Sequence, residues 1–308
     1  MSESTTQRFE RLAAAPLVAT VSRRTGFLGS FASIREILAH RQLLGLLVRR
    51  DITSRYKDSA LGLLWTLINP IIQLIVYYVV MGQFLGAARS GGIPDFALYI
   101  FSGLTIYVLF NESVSGATAS IVTNAGLVKK VYVPREVFPL ASIGSASFTF
   151  AMQVVVLVIA CFVLGAPPLS FGLLYAIPSI VLVLIYATAL GLLLGALNVY
   201  LRDMQYLSQI VLMLALWSSP IVYGWTMVRD TLERITWMPE WAIDVYTSSP
   251  LTLAVLGFHR AFWVSGSPAD YPADLLLRMG IAALIGLVVL WLCHRAFAKL
   301  QGNFAQEL

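Results

Sequence analysis

Three cations, Arg50, Arg55 and Lys57, stand close together just before a long apolar run, in the stretch Arg50-Asp51-Ile52-Thr53-Ser54-Arg55-Tyr56-Lys57-Asp58-Ser59. Cations at the approach to an apolar helix can bind an anionic lipid headgroup or a pyrophosphate, since guanidinium groups grip phosphate oxygens in pairs. The same cluster, with Tyr56 and Trp65 beside it, equally serves as plain anchoring at a membrane surface. Residue types alone leave both readings open.

A second basic constellation runs from Asn124 to Glu136 and contains Leu127, Lys129, Lys130, Val131, Tyr132, Pro134, Arg135 and Glu136. It joins two apolar runs, and it sets a tyrosine between valines. A protein driven by an outside engine needs a cytosolic knob that takes up force, and this segment is the best candidate for one. A loop whose cations merely set topology is the plainer alternative.

Absences narrow the chemistry. None of the lysines (Lys57, Lys129, Lys130, Lys299) follows a glycine, so the sequence has no phosphate-cradling Gly-Lys-Ser/Thr loop. No His-Glu-x-x-His or Cys/His cluster suggests a metal. His40, His259 and His294 are far apart, and each reads as an interfacial residue. A membrane-embedded glycosyltransferase would need paired acids, but Asp51 and Asp58 are well separated and Asp203 stands alone. Glu112 is the one ionisable group deep in an apolar run, which makes it a pointer to ion coupling. The favoured reading is a carboxylate hydrogen-bonded to nearby hydroxyls, and a single acid is thin support for an ion-driven carrier.

These groups must be positioned by elements that live in lipid. Of 308 residues, 58% are hydrophobic and 12% charged, against about 25% charged in soluble proteins. The mean hydropathy is +0.78. So few charges cannot cover a soluble surface, and the basic residues cluster beside apolar runs, which argues against nucleic acid as the partner of the +5 net charge. Cys161 and Cys293 fall in different apolar runs, toward opposite ends, and read as unpaired core residues.

A helical span needs about 20 apolar residues. Six stretches qualify: roughly 61–84, 96–118, 137–164, 173–197, 204–223 and 279–298. Two shorter apolar pieces, near 235–245 and 251–264, read as re-entrant or interfacial helices between spans five and six. Sixteen of the 21 Lys and Arg fall on the side that carries both ends of the chain, which places both termini in the cytoplasm. Residues 33–50 look like a basic amphipathic helix opened by a Ser33/Glu36 capping box. The apolar piece 12–21 is interrupted by Pro16 and followed by Arg23 and Arg24, so it reads as cytosolic tail rather than signal peptide. The expected organisation is a flexible tail over 1–32, an amphipathic helix with its lead-in over 33–60, an all-α six-span membrane domain over 61–298, and a cytosolic C-terminus over 299–308.

Five blocks carry a family resemblance: RYKDSALGLLWTLINPIIQLIVYYVVMG from Arg55, GLVKKVYVPREVFPL from Gly126, LNVYLRDMQYL from Leu197, SSPIVY from Ser218 and SSPLTLAVLGFHRAFW from Ser248. In this order they resemble the permease subunit of type-2 ABC exporters, in the branch that exports polysaccharides, O-antigen and teichoic acids. The likeness covers nearly everything from residue 49 to 264.

The resemblance implies a permease in the bacterial cytoplasmic membrane that pairs with a second copy and with two P-loop ATPase subunits. ATP and Mg would sit on those partners, with no cofactor or enzymatic activity on this chain. It implies an interfacial gate helix at 33–50, a coupling helix over Leu127 to Glu136 and re-entrant outer helices late in the chain. The cargo would be a polyprenyl-pyrophosphate-linked glycan, its headgroup entering near Arg50, Arg55 and Lys57. Sugar rings stack on aromatic faces, so Tyr77, Tyr78, Trp217, Tyr223 and Trp225, on the first and fifth spans, are the channel candidates. A type-2 exporter of drugs or small lipids is the alternative with the same architecture.

Overall fold

The computed structural model describes residues 35–57, 64–84, 93–130, 133–235, 239 and 241–308. The expected tail 1–32, Ser33 of the capping box, and Val131 and Tyr132 lie outside these residues.

In lipid a backbone must satisfy its own hydrogen bonds, so long apolar runs become helices. Among the described residues four are long and apolar enough to cross a membrane: Phe96–Thr123, Val137–Val163, Phe171–Tyr200 and Pro268–Asn303. The first, 28 residues long, extends about 42 Å, beyond the roughly 30 Å of a hydrocarbon core. Two shorter apolar helices cover Trp65–Val80 and Met204–Ser218.

In chain order the α-helices among the described residues are α1 (Arg41–Tyr56), α2 (Trp65–Val76), α3 (Phe96–Thr123), α4 (Ala125–Lys130), α5 (Val137–Val163), α6 (Ala176–Tyr200), α7 (Met204–Ser218), α8 (Trp225–Arg234), α9 (Trp241–Thr247), α10 (Pro250–Phe262), α11 (Leu275–Leu300) and α12 (Phe304–Glu307). Pro70 lies inside α2, which continues as π-helical turns over Tyr77–Phe84. Gly165, at φ +77°, ends α5. Its N–H donates to the Phe162 carbonyl and that of Ala166 to the Cys161 carbonyl, a glycine stop of the usual kind. Cys161 and Cys293 are both buried and unpaired.

The central post is α3. Buried along most of its length, it packs chiefly on α6 and α5. Between lipid-embedded helices, apolarity alone gives no drive to associate, so close packing of small residues holds them. Gly191 and Gly195, one turn apart on α6, supply it. A Cβ at Gly191 would lie 2.6 Å from the Cβ of Ala117, and one at Gly195 would lie 2.9 Å from the Ala117 carbonyl oxygen. Further along the same contact, the Asn198 amide donates to the Thr118 carbonyl at 3.1 Å.

One end of the bundle gathers the connections 124–136 and 201–203 and residues 301–308; we call it the basic end. At the other end α10 is inserted among α3, α6 and α11. His259 on α10 was expected at an interface but is fully buried. Gly103 makes its room, because a Cβ there would meet His259 Nε2 at 2.6 Å, and the Tyr99 ring lies 3.9 Å away between centroids.

α1 lies against α5, where Gly144 admits Val48: a Cβ at 144 would sit 2.8 Å from Val48 Cγ2. Where the sequence suggested an amphipathic helix ending at residue 50, α1 runs unbroken to Tyr56. Arg50 and Arg55 are therefore helical residues.

Candidate functional site

Two of the three clustered cations reach from α1 to the basic half of α3. Arg50 Nη2 donates to Asp51 Oδ1 at 2.8 Å and to Asn124 Oδ1 at 2.8 Å. Arg55 Nη1 donates to Glu112 Oε2 at 3.1 Å and to Thr149 Oγ1 on α5 at 3.4 Å. Glu112 was expected to bond hydroxyls. Its partner is instead a cation from α1, and the hydroxyl of Thr149 binds that same cation. Lys57 is exposed at the end of α1.

The connector between α3 and α5 begins as α4, whose first turn is closed by the Asn124 carbonyl accepting from the N–H groups of Leu127 and Val128. Val128 is buried, while Leu127, Lys129 and Lys130 are exposed. The later half is tied down. Arg135 Nη1 donates to the Gln301 carbonyl, and its guanidinium lies 5.7 Å from the centroid of the Phe304 ring. Glu136 is only 4% exposed. Its Oε1 accepts from Gln301 Nε2 at 3.4 Å and lies 3.8 Å from His294 Nε2. Phe304 is fully buried, with edge contacts to Phe297 at 5.7 Å and Tyr200 at 6.1 Å. The Tyr200 hydroxyl donates to the Leu300 carbonyl at 2.7 Å.

Residues 301–308 thus strap the connector to the body of the bundle. The sequence suggested no more than a cytosolic C-terminus here. Its signal was an aromatic and an apolar residue four apart, Phe304 and Leu308, just after the break at Gly302-Asn303.

Burial pushes the Glu136 carboxyl above the usual carboxylate range, and Glu36 adds to the push, while its own backbone, Gln301 and Arg135 oppose it. A carboxyl raised in the folded state helps folding below its unfolded value and loses that contribution as pH rises through the folded value. Glu136→Gln, which never ionises, should therefore melt higher than wild type at about pH 8, with the gap closing toward about pH 5. Scanning fluorimetry of the two proteins in one detergent measures this, and a wild type that melts higher at the alkaline pH would contradict it.

The aromatic candidates divide. Tyr78 and Trp217 are 46% and 60% exposed, and Tyr77 is half-buried. Tyr223 and Trp225 are not on the fifth apolar helix. The residue before a proline avoids helical backbone, and α7 accordingly stops at Ser218, with Ser219 extended at ψ 147° ahead of Pro220. The Tyr223 hydroxyl folds back onto the Trp217 carbonyl at 2.8 Å. Trp225 opens α8 and is buried. Tyr206, Leu207, Ile210, Val211, Leu214 and Trp217 are exposed apolar side chains that share one face of α7.

No group of His, Cys, Asp and Glu among the described residues is placed to hold a metal ion. What remains is a lipid-embedded helix bundle with an anchored basic connector and a cationic helix latched across it. The ABC-2 type transporter family matches this chain over residues 42–263, from the start of α1 to the end of α10. The chain belongs to that family. Among its relatives is the O-antigen export system permease protein RfbA of Klebsiella pneumoniae, 27% identical over 267 residues, covering 86% of this chain and 95% of the relative. The protein of the same name from Myxococcus xanthus is 27% identical over 276 residues, covering 89% and 98%. The capsule polysaccharide export inner-membrane protein CtrC of Neisseria meningitidis serogroup B is 25% identical over 154 residues, covering 49% and 57%. The ABC-2 match takes in the connector, while the strap that fixes it, on α11 and residues 301–308, lies beyond the matched stretch.

Proposed function

We propose that this chain is the permease subunit of an ATP-driven exporter of lipid-linked polysaccharide in a bacterial cytoplasmic membrane. The observation that carries the reading is the connector: Leu127, Lys129 and Lys130 project from a segment whose other end is locked into the bundle. A rigidly anchored knob can pass a push on to α3 and α5, and a chain with no phosphate-cradling loop has to receive its work from elsewhere. The family and the names of the O-antigen and capsule relatives support the cargo class.

In this reading α2, α3, α5, α6, α7 and α11 make six crossings, α8 to α10 dip in from the outer side, and both termini are cytoplasmic. Two copies form one channel and dock on two P-loop ATPase subunits, which bind the ATP and Mg. The exposed apolar face of α7 and the exposed residues of α2 (Ile71, Ile72, Ile75) turn toward the second copy and the channel. Tyr77, Tyr78 and Trp217 are the aromatics best placed to meet sugar rings. Arg50, Arg55 and Lys57 receive the pyrophosphate.

The test is charge reversal of the knob. In Lys129→Glu/Lys130→Glu the complex should still hydrolyse ATP while export of glycan falls by about tenfold or more, an interfacial charge clash being worth several kcal/mol. Surface glycan and ATPase rate are measured on the same cells and the same purified complex. Unchanged export removes the connector from the mechanism. Glycan that fails to accumulate inside cells lacking the gene points instead to an exporter of drugs or small lipids.

A further inference from the structure

The ion pair between Arg55 and Glu112 has an unusual setting. Glu112 lies well inside a membrane-crossing helix, yet its side chain is 30% exposed and that of Arg55 is 42% exposed. Charge in a span does not face lipid; it faces protein or a water-filled space. The open side of this pair therefore faces a neighbouring protein surface or a water-filled space rather than lipid.

The pairing is also incomplete. Both contacts of Arg55 among the described residues, to Glu112 and to Thr149, use the single nitrogen Nη1. A guanidinium carries five N–H donors in a fixed fork, and its strongest pairings are two-pronged. Glu112 is thus a weak, one-pronged partner that a better anion can replace. Arg50 differs, because it reaches Asp51 through both Nε and Nη2 while holding Asn124 as well.

We propose that Glu112 is the resting counter-ion of Arg55, and that an arriving pyrophosphate group takes Arg55 from it, releasing the end of α1 from α3. This rests on the reading of Arg50, Arg55 and Lys57 as the headgroup site. Pyrophosphate offers more charge than one carboxylate and the oxygen spacing for a two-pronged bond. Arg50 keeps its grip on Asn124 throughout, so α1 loosens at its last turn and stays attached one turn earlier. Substrate capture and gate release become one exchange of partners.

The experiment titrates the full-length permease, purified with its ATPase, with farnesyl pyrophosphate, and uses inorganic pyrophosphate as a headgroup-only competitor. Removing the competing carboxylate in Glu112→Gln should tighten binding about fivefold, the scale of an exposed ion pair. Arg55→Gln should weaken it about tenfold, and inorganic pyrophosphate should displace the prenylated ligand. Amide exchange over residues 51–57 gives a second readout that does not depend on any variant: it should rise in wild type when ligand is added. In Glu112→Gln it should already be high without ligand.

If wild type binds through Arg55 but Glu112→Gln binds no tighter and exchange does not rise, the counter-ion role is overturned and the headgroup site stands. If wild type does not bind, if Arg55→Gln binds as well as wild type, or if inorganic pyrophosphate does not compete, the headgroup site itself fails.

Discussion

Gly191→Val should leave membranes with less than about a tenth of the normal amount of folded permease. Overpacking a well-fitted contact costs about 1–3 kcal/mol when neighbours can shift. Here the new Cβ would stand 2.6 Å from the Cβ of Ala117, on a helix buried along most of its length. The substitution must part α3 from α6, and with them goes the Asn198–Thr118 bond beyond. Gly280→Ala on α11, where nothing lies within 4 Å of the added carbon, is the control and should accumulate normally. Quantitative blotting of solubilised, size-excluded protein compares the two. Equal yields would mean that the α3–α6 contact is looser than the geometry indicates.

Phe304→Ala acts on the connector instead of the bundle. Truncating a fully buried phenylalanine costs about 3–5 kcal/mol. The ring removed here is the one that Arg135, Tyr200 and Phe297 all touch. Phe304 lies outside the larger apolar cluster that α3, α6 and α10 share, so the protein should remain folded while the connector opens locally. Tryptic cleavage after Lys129 and Lys130 should then speed up about tenfold or more, since opening falls with local stability. Export should drop while ATP hydrolysis persists. Phe304→Leu, which keeps much of the buried apolar volume, should restore slow cleavage. Cleavage at the wild-type rate in Phe304→Ala would show that the strap does not hold the connector.

These two sites separate what is local in the chain from what is not. The apolar run begun at Phe96 was legible from composition, and the helix found there starts at the same residue and runs somewhat longer, to Thr123. The Gly191–Gly195 spacing was present in the sequence, but its partner Ala117 lies more than seventy positions away. Phe304 looked like the start of an ordinary cytosolic end, because nothing local distinguishes a buried aromatic from an exposed one four residues from the last position.

By itself the sequence determined that the chain lives in lipid, which stretches form its long apolar helices, and which connector is basic. Those properties are local, because each stretch in a bilayer closes its own backbone hydrogen bonds. Only the tertiary structure decided that Arg55 meets Glu112, that Arg50 meets Asn124, that Trp225 and His259 are buried, and that residues 301–308 lock Arg135 and Glu136. In a chain whose surroundings are as apolar as its core, hydrophobicity does not say which face of a helix turns inward; close packing between distant residues does.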